Sequence, residues 1–184
     1  MSRPTVFDEL YRSEPDPWGI EASWYERRKR ALLLASLRRE RYGLAFEPGC
    51  GQGVLTAALA PRCDSLHSTD LSPVAIEQAR LRLAGTSNVE LAVAELPGGW
   101  PEGPLDLIVL SEVLYFLEPS ALRDVVERTV ASLAPGGDLV LVDYTGPIEG
   151  YPLDGRTAHA AFRAIFSSIV CHEDEGFVLE VLSP

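Results

Sequence analysis

The sequence predicts an α/β fold in which a mostly parallel sheet carries helices on both faces and ends in an antiparallel hairpin. Three observations predict it. Apolar strand-like runs alternate with helix-like segments from residue 44 to residue 144, the pattern of parallel strands joined by crossover helices. A glycine-rich bend, "FEPGCGQG" from Phe46 to Gly53, separates the first apolar run from the next. Glycine loses more conformational freedom on folding than any other residue, so such clustering is kept for a tight turn or a close backbone approach. The last two runs, "SSIVCH" and "FVLEVL", flank the acidic turn "EDEG" and read as a hairpin added to one sheet edge.

In chain order, the segment before Arg41 reads as an appendage with Pro-centred turns at Pro15 and Pro17, followed by a helix over about Trp24–Arg38. Ser23 is its expected N-cap, with Glu26 three residues on. The strand "LAFEP", the glycine bend and the helix "VLTAALAPR" follow, then a strand around "SLHSTD". The helix "SPVAIEQARLRLA" opens on Ser72 as N-cap and Pro73 in the first turn. Next come the strand "VELAVAEL", a Pro/Gly loop and the strand "LDLIVLSE". A helix over about Ser120–Leu133 is expected to end before Pro135-Gly136-Gly137, after which "DLVLVDY" forms the fifth strand. The helix "GRTAHAAFRAIF" leads into the hairpin.

A length of 184 residues with 46% hydrophobic content suits one domain over 1–184, divided into an N-terminal helical lid or cap (1–41) and a core with its hairpin (42–184). No apolar stretch approaches the roughly 20 residues that span a bilayer, and the Met-Ser-Arg-Pro start lacks a hydrophobic signal core; the expected location is the cytoplasm. Cys50, Cys63 and Cys171 form no CxxC pattern, so neither a disulfide framework nor a metal site is indicated, and they read as small buried apolar residues. A net charge of -11 repels phosphate backbones and favours a small-molecule ligand over nucleic acid. Arg27, Arg28, Lys29, Arg30, Arg38, Arg39 and Arg41 concentrate positive charge in one segment, either a solvated helix face or a local anion-facing surface. Oligomeric state is not legible.

In open α/β sheets, ligands bind beyond the carboxyl ends of the strands where the order reverses. Gly49, Gly51 and Gly53 are expected there, but Val54 stands where a dinucleotide fingerprint needs its third glycine, and no P-loop pattern is present. That disfavours a dehydrogenase. Glu47 and Asp70 end two adjacent strands. A carboxylate after the second strand is placed to hold both hydroxyls of a ribose, since it offers two acceptor oxygens, and Glu47 beneath the bend can accept from a cationic amine. The pair suits a nucleoside that carries an ammonium group.

The E-x-G-x-G-x-G of Glu47 to Gly53, "STDLS" with Asp70, "LDLIVLSEVLYFL" and "LAPGGDLVLVDY" together resemble the class I S-adenosylmethionine-dependent methyltransferases. The resemblance implies a three-layer Rossmann-like methyltransferase fold with a mostly parallel seven-stranded sheet. "PDPW", "SWYERRK", "AFEPGCGQG" and "GPIEGYPLDG" narrow it to the NodS-type N-methyltransferases. Those enzymes methylate an amine on a chitooligosaccharide that lacks one acetyl group. The implied cofactor is S-adenosyl-L-methionine. Gly49, Cys50, Gly51 and Gly53 would lie along it, Asp70 on its ribose, Leu71 and Leu96 beside the adenine, and Glu95 on the adenine amino group or simply in solvent. Ser111 follows the fourth strand, and Trp18 is a candidate lid residue over the cofactor; plain packing is the alternative for Trp18 and for Trp24. Because an amine acceptor must shed a proton, Glu112 is the first candidate for base or substrate contact and Tyr115 the second. Asp143 and His159 are further candidates, while His67 and His172 read as structural. The expected activity is methyl transfer to a small amine. A non-catalytic S-adenosylmethionine-binding domain and an oxygen or carbon acceptor are the alternatives.

Overall fold

The computed structural model describes residues 3–14, 16–146, 148, 150–151 and 153–184. Strands β1 (Tyr42–Pro48), β2 (Cys63–Asp70), β3 (Val89–Val93), β4 (Leu105–Ser111) and β5 (Leu133–Tyr144) pair in parallel, while β6 (Ser167–Glu173) and β7 (Phe177–Ser183) form an antiparallel hairpin. The order across the sheet is β3-β2-β1-β4-β5-β7-β6, with β7 antiparallel to β5. Chain order therefore reverses between β1 and β4, the switch point where such sheets bind ligands. The helices are α1 (Arg3–Ser13), α2 (Trp24–Ser36), α3 (Val54–Leu59), α4 (Pro73–Arg82), α5 (Pro119–Ser132) and α6 (Gly155–Arg163).

The central strands read as continuous apolar runs because both their faces are covered. Ile108, Leu110, Leu139 and Leu141 point to a core with Leu122, Val125 and Phe162 of α5 and α6, whereas Leu107, Val109, Val140 and Val142 meet Leu33 and Leu59 of α2 and α3 on the other face. The expected caps are in place. The Ser23 hydroxyl accepts from the Glu26 N–H at 3.3 Å, and that of Ser72 from the Ala75 N–H at 3.2 Å.

Three expectations about the fold differ from the structure. No helix is expected before Trp24, yet α1 is there; its apolar signal is Phe7, Leu10 and Tyr11, one turn too short to stand out from sequence. Pro15 lies outside the described residues, but the turn at Pro17 is present, closed by the Gly19 N–H on the Asp16 carbonyl at 3.0 Å. Pro135-Gly136-Gly137 is not a separate loop. β5 starts at Leu133 directly after α5, and the register passes from Leu105↔Leu133 to Leu107↔Asp138, so the tripeptide forms a bulge inside one ladder. Cys50 and Cys63 are buried as expected, but Cys171 is exposed on the edge strand β6.

In the basic segment Arg27, Arg38 and Arg41 are exposed, Arg28, Arg30 and Arg39 half-buried, and Lys29 buried. Each of its cations has an acceptor in the chain. Arg28 pairs with Asp174, Arg41 with Asp64, and Lys29 with Glu26 and Glu112; Arg27, Arg30 and Arg39 donate to backbone carbonyls. Arg38 donates from Nε and Nη2 to Oδ1 of the fully buried Asp138 at 2.8 and 2.5 Å, and the Tyr42 hydroxyl donates to its Oδ2 at 2.6 Å. No helix among the described residues is long and apolar enough to cross a membrane.

Asp138 thus ties the end of α2 to β1 and β5. Replacing it with alanine leaves a guanidinium and a buried phenol without their acceptor. Because Arg38 keeps access to water, the expected loss is about 2–3 kcal/mol, below the range of a fully buried pair. Urea unfolding of Asp138→Ala beside the native protein measures it.

Candidate active site

The site grows from the bend after β1. Gly49, Gly51 and Gly53 take φ of +73°, +53° and +78°, the left-handed region that side chains rarely adopt. Space excludes side chains as well. A Cβ on Gly49 would overlap Val113, one on Gly51 would meet the Tyr11 hydroxyl at 2.8 Å, and one on Gly53 the Ala79 methyl at 3.0 Å. The bend is pinned from β2. Cys50 N–H donates to the Thr69 carbonyl at 2.9 Å, and the Asp70 carboxylate accepts from the Gly51 N–H and the Ser72 N–H, each at 2.9 Å. Glu47 lies opposite Ser68 in the β1–β2 register and accepts from its hydroxyl at 3.0 Å. Burial, only partly offset by the hydroxyls beside it, of which Ser68 donates a hydrogen bond, pushes the Glu47 carboxyl up to about 8. Burial also raises Asp70, against the opposing pull of the Ser72 and Gly51 N–H groups.

These groups open into one cavity of about 650 Å³ that continues past the end of β4 to Ser111, Glu112 and Tyr115, within the size range of small-molecule sites. Its ceiling comes from α1 and the loop after it. A chain of aromatic contacts runs Tyr11–Trp18 at 5.4 Å between ring centroids, Trp18–Phe7 at 6.1 Å, Phe7–Phe116 at 5.3 Å and Phe116–Tyr151 at 4.8 Å. Three polar ties hold the ceiling to the core: Ser72 to Asp8, the Gln52 amide to Asp16 at 3.0 Å, and Arg82 to Glu21 at 2.8 Å.

At the far end Glu112 carries φ +57°, a left-handed backbone at a residue with a side chain, of the kind that clusters at functional sites. Its Oε1 accepts from Lys29 Nζ at 2.5 Å; its Oε2 accepts from the Tyr115 hydroxyl at 2.7 Å and the Tyr144 N–H at 3.1 Å. Lys29 also donates to Glu26 Oε1 at 2.8 Å and faces the Tyr25 ring at 5.1 Å. Burial pulls the Lys29 ammonium down, but the Glu112 and Glu26 carboxylates outweigh it and hold the group above its ordinary value.

Of the candidates read from sequence, Trp18, Glu47, Gly49, Cys50, Gly51, Asp70, Leu71, Ser111, Glu112 and Tyr115 line this cavity. Gly53 stands behind the bend as the N-cap of α3. Glu95 and Leu96 do not line the cavity: β3 stops at Val93, and a turn closed by the Gly98 N–H on the Glu95 carbonyl follows. Asp143 and His159 do not line it either. Alternation along β5 sends Tyr144 to the cavity and Asp143 to the other side, where Asp143 and His159 are fully buried. There His159 Nε2 meets Asp143 Oδ2 at 3.0 Å, its Nδ1 meets Glu180 Oε2 at 2.9 Å, and Arg163 donates to the same Glu180 oxygen at 2.7 Å. Trp24 is exposed and does not line the cavity. The sequence reading missed Phe7, Leu10 and Tyr11 of α1 and Tyr25, Glu26 and Lys29 of α2. Lys29 had a signal: it lies four residues from both Tyr25 and Leu33, on the inward stripe of its helix.

The family model described as nodulation protein S (NodS) matches residues 8–146. Nodulation protein S of Rhizobium tropici is 38% identical over 127 residues, 68% of this chain and 53% of that protein, so the chain spans about half the length of that relative. Nodulation protein S of Bradyrhizobium diazoefficiens is 36% identical over 164 residues, 84% of this chain and 76% of that protein. Among solved structures, N-methyltransferase NodS from Bradyrhizobium japonicum WM9 in complex with S-adenosyl-L-homocysteine superposes with a TM-score of 0.89 at 26% identity, covering 98% of each chain.

The sealed His159 cluster predicts a pH dependence of stability. Burial disfavours the imidazolium, but hydrogen bonds to Asp143 and Glu180 outweigh it and raise the group above its ordinary value. A raised histidine stabilises fully below its unfolded value of about 6.5, and that contribution disappears as pH rises through the folded one. His159→Ala, which takes the side-chain partner from the buried Asp143 while Glu180 keeps Arg163, is expected to cost about 3 kcal/mol at pH 6. The gap to the native protein narrows as the solution turns alkaline. Urea unfolding of both proteins across pH 6 to 9 checks the size and the sign.

Proposed function

The chain belongs to the nodulation protein S (NodS) family, and from that membership we propose that it transfers the methyl group of S-adenosylmethionine to the nitrogen of a small amine. An amino sugar, or a chitooligosaccharide lacking an acetyl group, is the acceptor class the reading favours. One observation carries the proposal: a single cavity joins the bare-backbone bend and its two carboxylates to a second carboxylate cluster around Glu112.

The residues present fit the cofactor. Gly49 and Gly51 leave backbone exposed where any Cβ would collide, which suits the methionine portion. Each Asp70 oxygen accepts one backbone N–H, from Gly51 in the bend and from Ser72 at the start of α4, and keeps a further lone pair for a ribose hydroxyl. Leu71 borders the same wall and suits the adenine. The aromatic ceiling with Trp18 offers ring faces to a sulfonium cation and excludes water when closed. When bound, S-adenosylmethionine supplies a methyl group on a sulfonium that is already a good leaving group. Alignment of the acceptor is then the main task of the chain, together with removal of a proton from the acceptor amine. Glu112, held by Lys29, Tyr115 and the Tyr144 N–H, is the carboxylate at the acceptor end.

Calorimetry with S-adenosylhomocysteine tests the cofactor half, and release of S-adenosylhomocysteine from S-adenosylmethionine with glucosamine oligomers tests the acceptor half. Asp70→Ala is expected to weaken cofactor binding by at least about tenfold, roughly 1.4 kcal/mol; unchanged affinity removes Asp70 from the site. Turnover on hydroxyl or carbon acceptors with none on amines rejects nitrogen as the acceptor.

Glu47 adds a proton linkage. Its carboxyl, raised to about 8, keeps its proton at pH 7 in the empty protein, and the methionine ammonium favours the ionised form. Binding is therefore expected to release up to about one proton at pH 7 and to tighten as pH rises from about 6 towards 8. Glu47→Gln abolishes both effects. Binding enthalpies in phosphate and in Tris, which differ in ionisation enthalpy, count the proton.

A further inference from the structure

A lysine inside a cavity read as taking cationic amines needs a reason. Lys29 is 5% exposed, and its neighbours on the same face of α2 are Tyr25 and Leu33. A buried ion pair adds little stability over apolar packing of similar volume; an apolar residue between Tyr25 and Leu33 would continue the core. A fixed cation there also repels an incoming ammonium. Lys29 is nevertheless built in, held by Glu26 at 2.8 Å, by Glu112 at 2.5 Å and by the Tyr25 ring face at 5.1 Å.

The strain in the neighbourhood converges on the same carboxylate. Glu112 holds a left-handed backbone, fixed by its own N–H on the Val142 carbonyl at 2.8 Å, and Lys29 Nζ, the Tyr115 hydroxyl and the Tyr144 N–H hold its side chain. The charged and titratable groups that face this cluster are Tyr25 and Glu26 from α2, Tyr115 after β4, and Asp143 behind the end of β5. Asp174, in the turn between β6 and β7, faces Tyr25 and is itself paired with Arg28. Glu26 and Glu112 are the two carboxylates in direct contact with the ammonium, so the contact set carries one net negative charge.

We propose that Lys29 is a positioning residue of the transfer, its ammonium clamping Glu112 in place as the carboxylate that receives the acceptor's proton. The inference rests on the amine reading above. In that step the N–H bond of the acceptor ammonium breaks with its electron pair left on nitrogen, and an O–H bond forms on Glu112. Lys29 keeps its own proton throughout. The ammonium contact fixes the position of Glu112 Oε1, and a cation in hydrogen-bond contact favours a carboxylate over its protonated form.

Two readouts test this. The first is the titration of the Glu112 carboxyl carbon by NMR, assigned by its loss in Glu112→Gln and needing no acceptor. The second is the pH–rate profile with S-adenosylmethionine and a glucosamine oligomer. In Lys29→Met the carboxyl titration and the acidic limb of the profile are both expected to move to higher pH by about one unit or more, a rate loss of about tenfold below the limb. Lys29→Arg is expected to keep both near the native positions, and Lys29→Gln, which keeps a donor without the charge, serves the same comparison should the methionine variant not fold. A rate loss equal at every pH, or a Glu112 carboxyl that does not move, overturns the proposal. A native protein that turns over no amine overturns the amine reading instead. The carboxyl titration then decides the Lys29–Glu112 coupling by itself: an upward shift in Lys29→Met sustains it, and an unmoved signal sinks it.

Discussion

The bidentate grip of Asp70 on two backbone N–H groups is the constraint on which the site depends. Three left-handed glycines within five residues would be a poorly ordered loop if free, because nothing in their own backbone prefers one path. Asp70 removes that freedom. One oxygen takes the Gly51 N–H from the bend and the other takes the Ser72 N–H at the start of α4, so the bend, the end of β2 and the first turn of α4 are fixed as one unit. Its burial raises the cost of leaving either oxygen without a donor. The result is a rigid floor of naked backbone, which a long and partly polar ligand can approach more closely than any side chain would allow.

The charge distribution follows a related logic. The chain is acidic overall, at -11, yet each cation of its most basic segment finds an acceptor within the chain. Arg38 and Asp138 join the end of α2 to two strands, Arg28 reaches the hairpin turn at Asp174, and Lys29 reaches the cavity. An α2 helix with an apolar face alone would be held by packing. One that also carries directional ion pairs has its rotation about its own axis set, and this decides which of its side chains meets Glu112. Exposed pairs such as Arg41–Asp64 add little to this.

What was legible in the sequence divides along physical lines. The strand program was plain because β4 and β5 are buried on both faces and read as unbroken apolar runs, and because Ser23 and Ser72 cap helices through contacts within three residues. The bend and Asp70 were legible because they need particular residue types: glycine where φ is positive, a carboxylate where two donors converge. Features set by distant partners were hidden. The helix α1 is held by ring contacts of Phe7 and Tyr11 and by Asp8, whose partner Ser72 lies 64 residues away. Whether Asp143 or Tyr144 reaches the cavity turns on a single step of strand alternation, and the end of β3 at Val93 moves Glu95 by the same margin. The bulge that absorbs Pro135-Gly136-Gly137 depends on a register shift against β4.

Two clusters in this fold share a recipe and differ in exposure. Each sets one nitrogen base between two carboxyl groups: Lys29 with Glu26 and Glu112, His159 with Asp143 and Glu180. The second is sealed. Asp143 and Glu180 project from paired strands β5 and β7 onto α6, and such a cluster exchanges no proton with a ligand. The first is open because Glu112 leaves the ladder. After β4 the chain turns through a left-handed residue instead of continuing extended, so its side chain follows the cavity wall rather than the alternating faces of the sheet. A strand continued by one regular residue would have buried this carboxylate as Asp143 is buried. The strained backbone at residue 112 is therefore what converts a structural ion cluster into one that a ligand can reach.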